Sequence, residues 1–273
     1  MADESASARD ARPPAGQGRA EPGVEHAAAP GAAFYARRGG RGADWWTVLH
    51  PPYTAWHVSY AVLGALLAPH INWLVLGATA LAFFLAVGLA AHALDELNGR
   101  PLATSIPDRV LWAVAIVSLA SAVALGAVTI AYTGPVLIPF IVLGVFLVFA
   151  YNLELFGGRL HTDFGFAAAW GGFPVIVGFV AQAPTVNAAT ILAVAAATLG
   201  STALSLAQRR LSTPARTLRR RVRDVSGAVA FTDGARSKLD RDTLLVPLDG
   251  ALRMLSYAVP LLAVALVFAR LAA

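Results

Sequence analysis

From Ile71 to Leu89 the chain reads INWLVLGATALAFFLAVGL, without a charged residue. A helix needs about 20 predominantly apolar residues to cross a hydrocarbon layer about 30 Å thick, and this run has that length. Seven such segments can be read, at roughly 54–69, 71–94, 109–132, 135–151, 164–182, 186–207 and 249–271. Composition agrees, with 57% hydrophobic and 14% charged residues and a mean hydropathy of +0.63, against about 25% charged in soluble domains. The expectation is an all-α polytopic membrane bundle of about seven transmembrane helices, with the lipid bilayer as its first partner. Cysteine is absent, which excludes disulfide and thiolate chemistry.

Residues 1–44 differ in kind. ESASARDARPPAGQGRAEPGVEHAAAPGAA is rich in Ala, Gly, Pro and Arg and has no apolar period. Such a stretch cannot bury enough surface to offset chain entropy, so 1–44 is expected to be a disordered tail. No apolar core follows its charges, so it does not read as a secretory signal. The transmembrane domain is then 45–273, with 208–248 as a basic loop inside it.

The connections sort by charge. PHIN, YTGP and QAPTVN, after the first, third and fifth spans, contain no Lys or Arg. Of the 21 Lys and Arg, 20 fall on the other side and only Arg270 lies opposite. The positive-inside rule puts the N-terminus in the cytoplasm and the C-terminus outside, in a cell inner (plasma) membrane. It also accounts for the sequence pI near 10.1 without a nucleic-acid partner.

Three polar clusters gather on that basic side. In AHALDELNG, His92, Asp95, Glu96 and Gly99 stand at i, i+3, i+4 and i+7, on one helical face. Within a bundle this face suits a hydrated cation; at a bundle edge it suits interfacial residues facing water. The second cluster is YNLELFGGRLHTDFGFAAAWGGFPVIVGF, residues 151–179. Tyr151, Asn152 and Glu154 end the fourth span, and Arg159, His161 and Asp163 precede the fifth. Gly171 and Gly172 fit close approach of a neighbouring helix. In the third, STALSLAQRRLSTPARTLRRRVRDV, Ser201, Ser205, Gln208 and Ser212 form a polar stripe. Ser212 or Thr213 can cap a new helix with Pro214 in its first turn. The RRR run fits attraction to anionic lipid heads, whereas Gln208, Arg209 and Arg216 are placed to bind a phosphate group.

In order and common sidedness these stretches resemble the UbiA superfamily of intramembrane prenyltransferases, over about residues 54–224. AHALDELNG stands where the family carries its first acidic motif, N-D-x-x-D-x-x-x-D, and only Asp95 coincides, with Glu96 beside it. The 151–179 stretch matches the family's Tyr-containing loop and Gly- and Pro-bearing fifth helix in layout. QRRLSTPAR replaces the second acidic motif, and the family usually has nine helices. The resemblance implies a UbiA-like bundle that transfers an isoprenoid group from a prenyl diphosphate to a lipophilic or aromatic acceptor. In the family, Mg²⁺ held by acidic motifs neutralises the departing diphosphate. Carried over, Asp95, Glu96, Tyr151 and Asn152 would be the reaction-centre residues. His92, Asp95 and Glu96 would be the metal ligands, with Glu154, His161 and Asp163 as further candidates. Arg100, Arg159, Gln208, Arg209 and Arg216 would bind the diphosphate, forked guanidinium donors replacing the missing acidic motif. Two other readings fit the same residues: a different metal-dependent enzyme acting on a lipid, because these N and O donors also suit Zn, Mn or Fe, and a non-catalytic lipid- or isoprenoid-binding protein. No span carries a charge near its centre, which argues against an ion pump.

Overall fold

The computed structural model of the protein describes residues 33–37 and 39–272. It is an all-α bundle with one small hairpin. The helices are α1 (Arg41–Leu49), α2 (Pro51–Leu66), α3 (Trp73–Leu97), α4 (Asp108–Thr133), α5 (Pro135–Asn152), α6 (Asp163–Ala181), α7 (Ala188–Arg220) and α8 (Arg241–Leu271). Between α7 and α8 strands β1 (Gly227–Ala230) and β2 (Arg236–Leu239) pair antiparallel, Gly227 opposite Leu239.

The helix limits follow from local chemistry. The Asn72 side chain caps α3 by accepting from the backbone N–H groups of Leu74 and Val75. Pro107 precedes α4, and Gly134, at φ 83°, ends it just before Pro135 opens α5. Asn187 with Thr190, and Asp240 with Thr243, form reciprocal capping boxes at the starts of α7 and α8.

Among the described residues, six helices, α3 to α8, are long and apolar enough to cross a membrane. The seventh expected span is α2. Its 16 residues, at about 1.5 Å each, fall short of the hydrocarbon thickness, and it lies inside the bundle against α6 and α8. That position explains the polar residues in its sequence: His57, Ser59 and Tyr60 are all buried. Backbone contact between α2 and α6 requires two glycines. A Cβ at Gly64 would stand 2.0 Å from the Val175 carbonyl oxygen, and one at Gly178 would stand 2.0 Å from that of Ala61. The close approach expected at Gly171 is also present, with α7 as the neighbour: a Cβ there would meet the Ser201 carbonyl oxygen and Ser205 Oγ at 2.6 Å.

Three expectations change. The tail does not stay unstructured to residue 44: α1 starts at Arg41, and the strap 33–37 folds back on it, with Trp46 Nε1 donating to the Tyr35 carbonyl at 3.0 Å. Residues 1–32 lie outside the described residues. No new helix starts at Ser212 or Thr213. Helix α7 runs through Pro214 to Arg220, because Ala215, Leu245 and Leu252 pack together and hold this turn against α8. The 208–248 segment is therefore mostly the end of α7, the hairpin and the start of α8.

Two π-helical stretches interrupt the spans, Phe84–Ala91 in α3 and Ala168–Gly172 in α6. Such insertions widen a helix and re-aim its side chains, often at functional sites.

Candidate functional site

One end of the bundle holds a cavity of about 320 Å³, within the range of small-ligand sites. The strap and every helix from α2 to α8 except α4 contribute side chains to its wall. Phe34 and Tyr35 cover one side, in edge contact with Tyr53 at ring separations of 5.9 and 5.3 Å. Four imidazoles lie in the wall, those of His50, His57, His92 and His161. His50 stacks on His92 with ring centroids 4.3 Å apart, and His57 Nδ1 is 2.9 Å from the Trp170 carbonyl oxygen in the second π-helical stretch. His50 joins α1 to α2 in a left-handed conformation, φ 50° and ψ 51°, a region that histidine enters more readily than most residues. Burial, and next the neighbouring His92, hold its imidazole well below the usual range, so it is uncharged at neutral pH. Burial likewise pushes the Tyr35 phenol well up.

Asp95, Tyr151, Asn152, Gln208, Arg209 and Arg216, brought from three helices, all line this chamber, as do His92, Glu154 and His161. Their environments differ. Arg209 is tied to Asp163 at 3.3 Å and lies over the Phe166 ring. Glu154 pairs with His161 at 3.6 Å, and His161 stacks on Tyr151 with centroids 4.5 Å apart. Arg219 is paired with Asp249. Among the described residues, Arg216, Arg220 and Asp95 have no ion-pair partner. Tyr151 Oη and Gln208 Oε1 are buried without a hydrogen-bond partner, and their residues are 5% and 2% exposed. Leaving such groups unsatisfied costs about 1–3 kcal/mol each. A ligand carrying both acceptor and donor atoms satisfies them.

Four expected residues lie elsewhere. Glu96 is 0% exposed and outside the chamber wall. Its carboxylate accepts from Leu102 N and Thr104 N at 2.9 Å and from Thr104 Oγ1 at 2.8 Å, so it clips the loop after α3. Arg100 belongs to the same loop, donating to the Ile106 carbonyl and pairing with Asp108. Arg159 is exposed on the turn after α5. Asp163 acts on the chamber only by holding Arg209. Conversely, His50, Tyr53, His57, Tyr35 and Arg220 line the chamber although the motifs did not single them out. The polar residues of α2 were the available signal, since only an inward face accounts for a histidine in an apolar segment.

The donor set bears on Mg²⁺. Among the described residues, no three His, Cys, Asp or Glu side chains converge as a metal cradle. His92 is engaged with His50 and the Gly88 carbonyl, and Glu96 is spent on its loop. Asp95 stands beside guanidinium groups suited to phosphate oxygens, and the other carboxylates of the wall, Glu154 and Asp249, are paired with His161 and Arg219.

No family model matches the chain, and no curated protein or solved structure matches it.

Proposed function

We propose that the chamber binds the head of a prenyl diphosphate and that the protein transfers the isoprenoid group to a lipophilic or aromatic acceptor. The observation that carries this reading is the pair of buried, unpartnered polar atoms, Tyr151 Oη and Gln208 Oε1, in one wall with the unpaired Arg216 and Arg220. Arg216 and Arg220 bind the diphosphate oxygens, and Tyr151 Oη donates to one of them. The allylic C–O bond breaks and its electron pair leaves with the diphosphate, whose growing charge the arginines stabilise. The acceptor's nucleophilic atom bonds to the freed carbon and gives up a proton. Gln208 Oε1 accepts a hydrogen bond from that atom beforehand, and Asp95 takes the proton. On the positive-inside argument the chamber opens to the cytoplasm, at the plasma membrane. A second reading is binding without turnover; it is favoured by the single unpaired carboxylate.

The test is binding and turnover of labelled farnesyl or geranylgeranyl diphosphate in nanodiscs, with Mg²⁺ and with a chelator. Binding should persist in chelator, because guanidinium groups supply the positive charge. Arg216→Ala should weaken it by about tenfold or more, as expected for losing a hydrogen bond to a charged group. Asp95→Asn should keep binding and lose turnover. A wild-type protein that neither binds nor consumes any prenyl diphosphate would sink the proposal, and binding with no turnover for any acceptor would leave the second reading in its place.

A further inference from the structure

Phe34 and Tyr35 are the first aromatic residues of the sequence, and they stand where the chain meets the bundle. The strap that carries them is fastened to α1. Arg37 N donates to Thr47 Oγ1 at 3.0 Å, and that hydroxyl donates back to the Arg37 carbonyl at 3.2 Å. The Arg37 guanidinium lies over the Trp46 ring, 3.8 Å from its centroid, and Trp46 Nε1 holds the Tyr35 carbonyl. Thr47 is 4% exposed, so water competes little for its hydroxyl. Phe34 meets the bundle through its side chain. Its ring is edge-on to Tyr53, lies under Arg253 of α8 at 5.4 Å and packs on the cluster of Ala215, Leu245 and Leu252. The strap thus ties α1 to α2, α7 and α8 beside the chamber.

With its carbonyl held by Trp46, Tyr35 turns its ring into the chamber wall, 5.4 Å from the His50 ring. Burial is the first influence on its phenol and Tyr53 the second, and the charges of Arg216 and Arg220 act on it next. The net effect keeps the phenol protonated. Arg216 and Arg220 stand at i and i+4 on α7, on one face, and both line the same wall. A protonated phenol beside two guanidinium groups adds an uncharged donor to a place suited to an anion rich in acceptor oxygens.

We infer that Tyr35 is a ligand-binding residue and the strap a clasp, Tyr35 Oη donating to the phosphate group that Arg216 and Arg220 hold. The inference rests on the phosphate-head reading for the group that is bound. Closure of the strap completes the site from outside the spans, and by linkage a bound ligand and a closed strap favour each other. Thr47 acts through Arg37 and is a positioning residue.

The probes are inorganic diphosphate and farnesyl diphosphate, added to the full chain in detergent. Affinity is measured together with the rise in melting temperature that the ligand produces. Tyr35→Phe removes one oxygen and keeps the ring. Its ligand-free melting temperature should match wild type, its affinity for both probes should fall roughly tenfold, as for loss of a hydrogen bond to a charged group, and the ligand-induced rise should shrink. Thr47→Val keeps the shape and removes the anchoring hydroxyl, so it should also weaken binding. Thr47→Ser should restore affinity, which a role in packing alone would not predict. Arg216→Ala is the control for the head site. If Tyr35→Phe binds as tightly as wild type while Arg216→Ala binds more weakly, the clasp is overturned and the phosphate head is kept. Binding that weakens in Thr47→Val but not in Tyr35→Phe makes the strap a cover only and overturns Tyr35 as a ligand contact. A wild-type protein that binds neither probe overturns both readings.

Discussion

Glu96 and Asp95 are neighbours in sequence, and exchanging each carboxylate for its amide should have opposite consequences. Glu96 is fully buried and receives three hydrogen bonds, from Leu102 N, Thr104 N and Thr104 Oγ1 at 2.8–2.9 Å. In Glu96→Gln one oxygen becomes an NH₂ group. If the remaining oxygen keeps the Thr104 bonds, the new amide faces the Leu102 N–H, donor against donor. Bonds to a charged group contribute about 1.5–3 kcal/mol and neutral ones about 0.5–1.5, while an unsatisfied buried group costs about 1–3. Weakening two bonds and orphaning one donor therefore costs about 3 kcal/mol. At about 2–4 °C per kcal/mol for a chain of this order of size, Tm should fall by roughly 6–12 °C. Asp95 lines the chamber without an ion-pair partner among the described residues, so Asp95→Asn should leave Tm nearly unchanged. Thermal melting in detergent, followed by tryptophan fluorescence, separates the two, with diphosphate binding measured on the same samples. If Glu96→Gln melts like wild type yet no longer binds diphosphate, its carboxylate faces the ligand and the reasoning from the loop clip is refuted.

Gly178→Ala should destabilise by about 1–3 kcal/mol, because its Cβ meets the Ala61 carbonyl at 2.0 Å, whereas Gly200→Ala, with nothing within 4 Å, should be neutral or slightly stabilising in the same melts. Phe34→Ala combined with Tyr35→Ala should uncover the chamber. In this cysteine-free chain, a single Ser212→Cys should then react faster with a water-soluble maleimide, and equal rates would show that the strap is not a cover. His50, held neutral by burial, binds fewer protons folded than unfolded below its ordinary pKa of about 6.5. Stability should therefore be full above that value and decline as pH falls below it; His50→Gln should flatten the decline, and an unchanged slope would refute the assignment.

The spans were legible in the sequence because their cause is local. An uncharged run of sufficient length has to satisfy its own backbone in lipid, and the residues that stop it, Asn72, Gly134, Pro135, Asn187 and Asp240, act within a turn of themselves. The gathering of polar groups at one end was legible for the same reason, since each of Asp95, Tyr151, Asn152 and Gln208 closes a span on the same side. Which way each side chain points was not legible. The spacing of His92, Asp95, Glu96 and Gly99 places them on one face of a regular helix, but rotation of that face about the helix axis depends on what packs around it. The π-helical stretch Phe84–Ala91 lies just before them, and one inserted residue turns everything after it by about 100°. Asp95 meets the chamber, while Glu96, one residue on and about 100° further round the helix, meets the loop that follows it. The inward turn of α2 and the fold-back of Phe34 and Tyr35 belong to the same class. Both depend on contacts between segments distant in sequence, and only the tertiary structure brings those segments together.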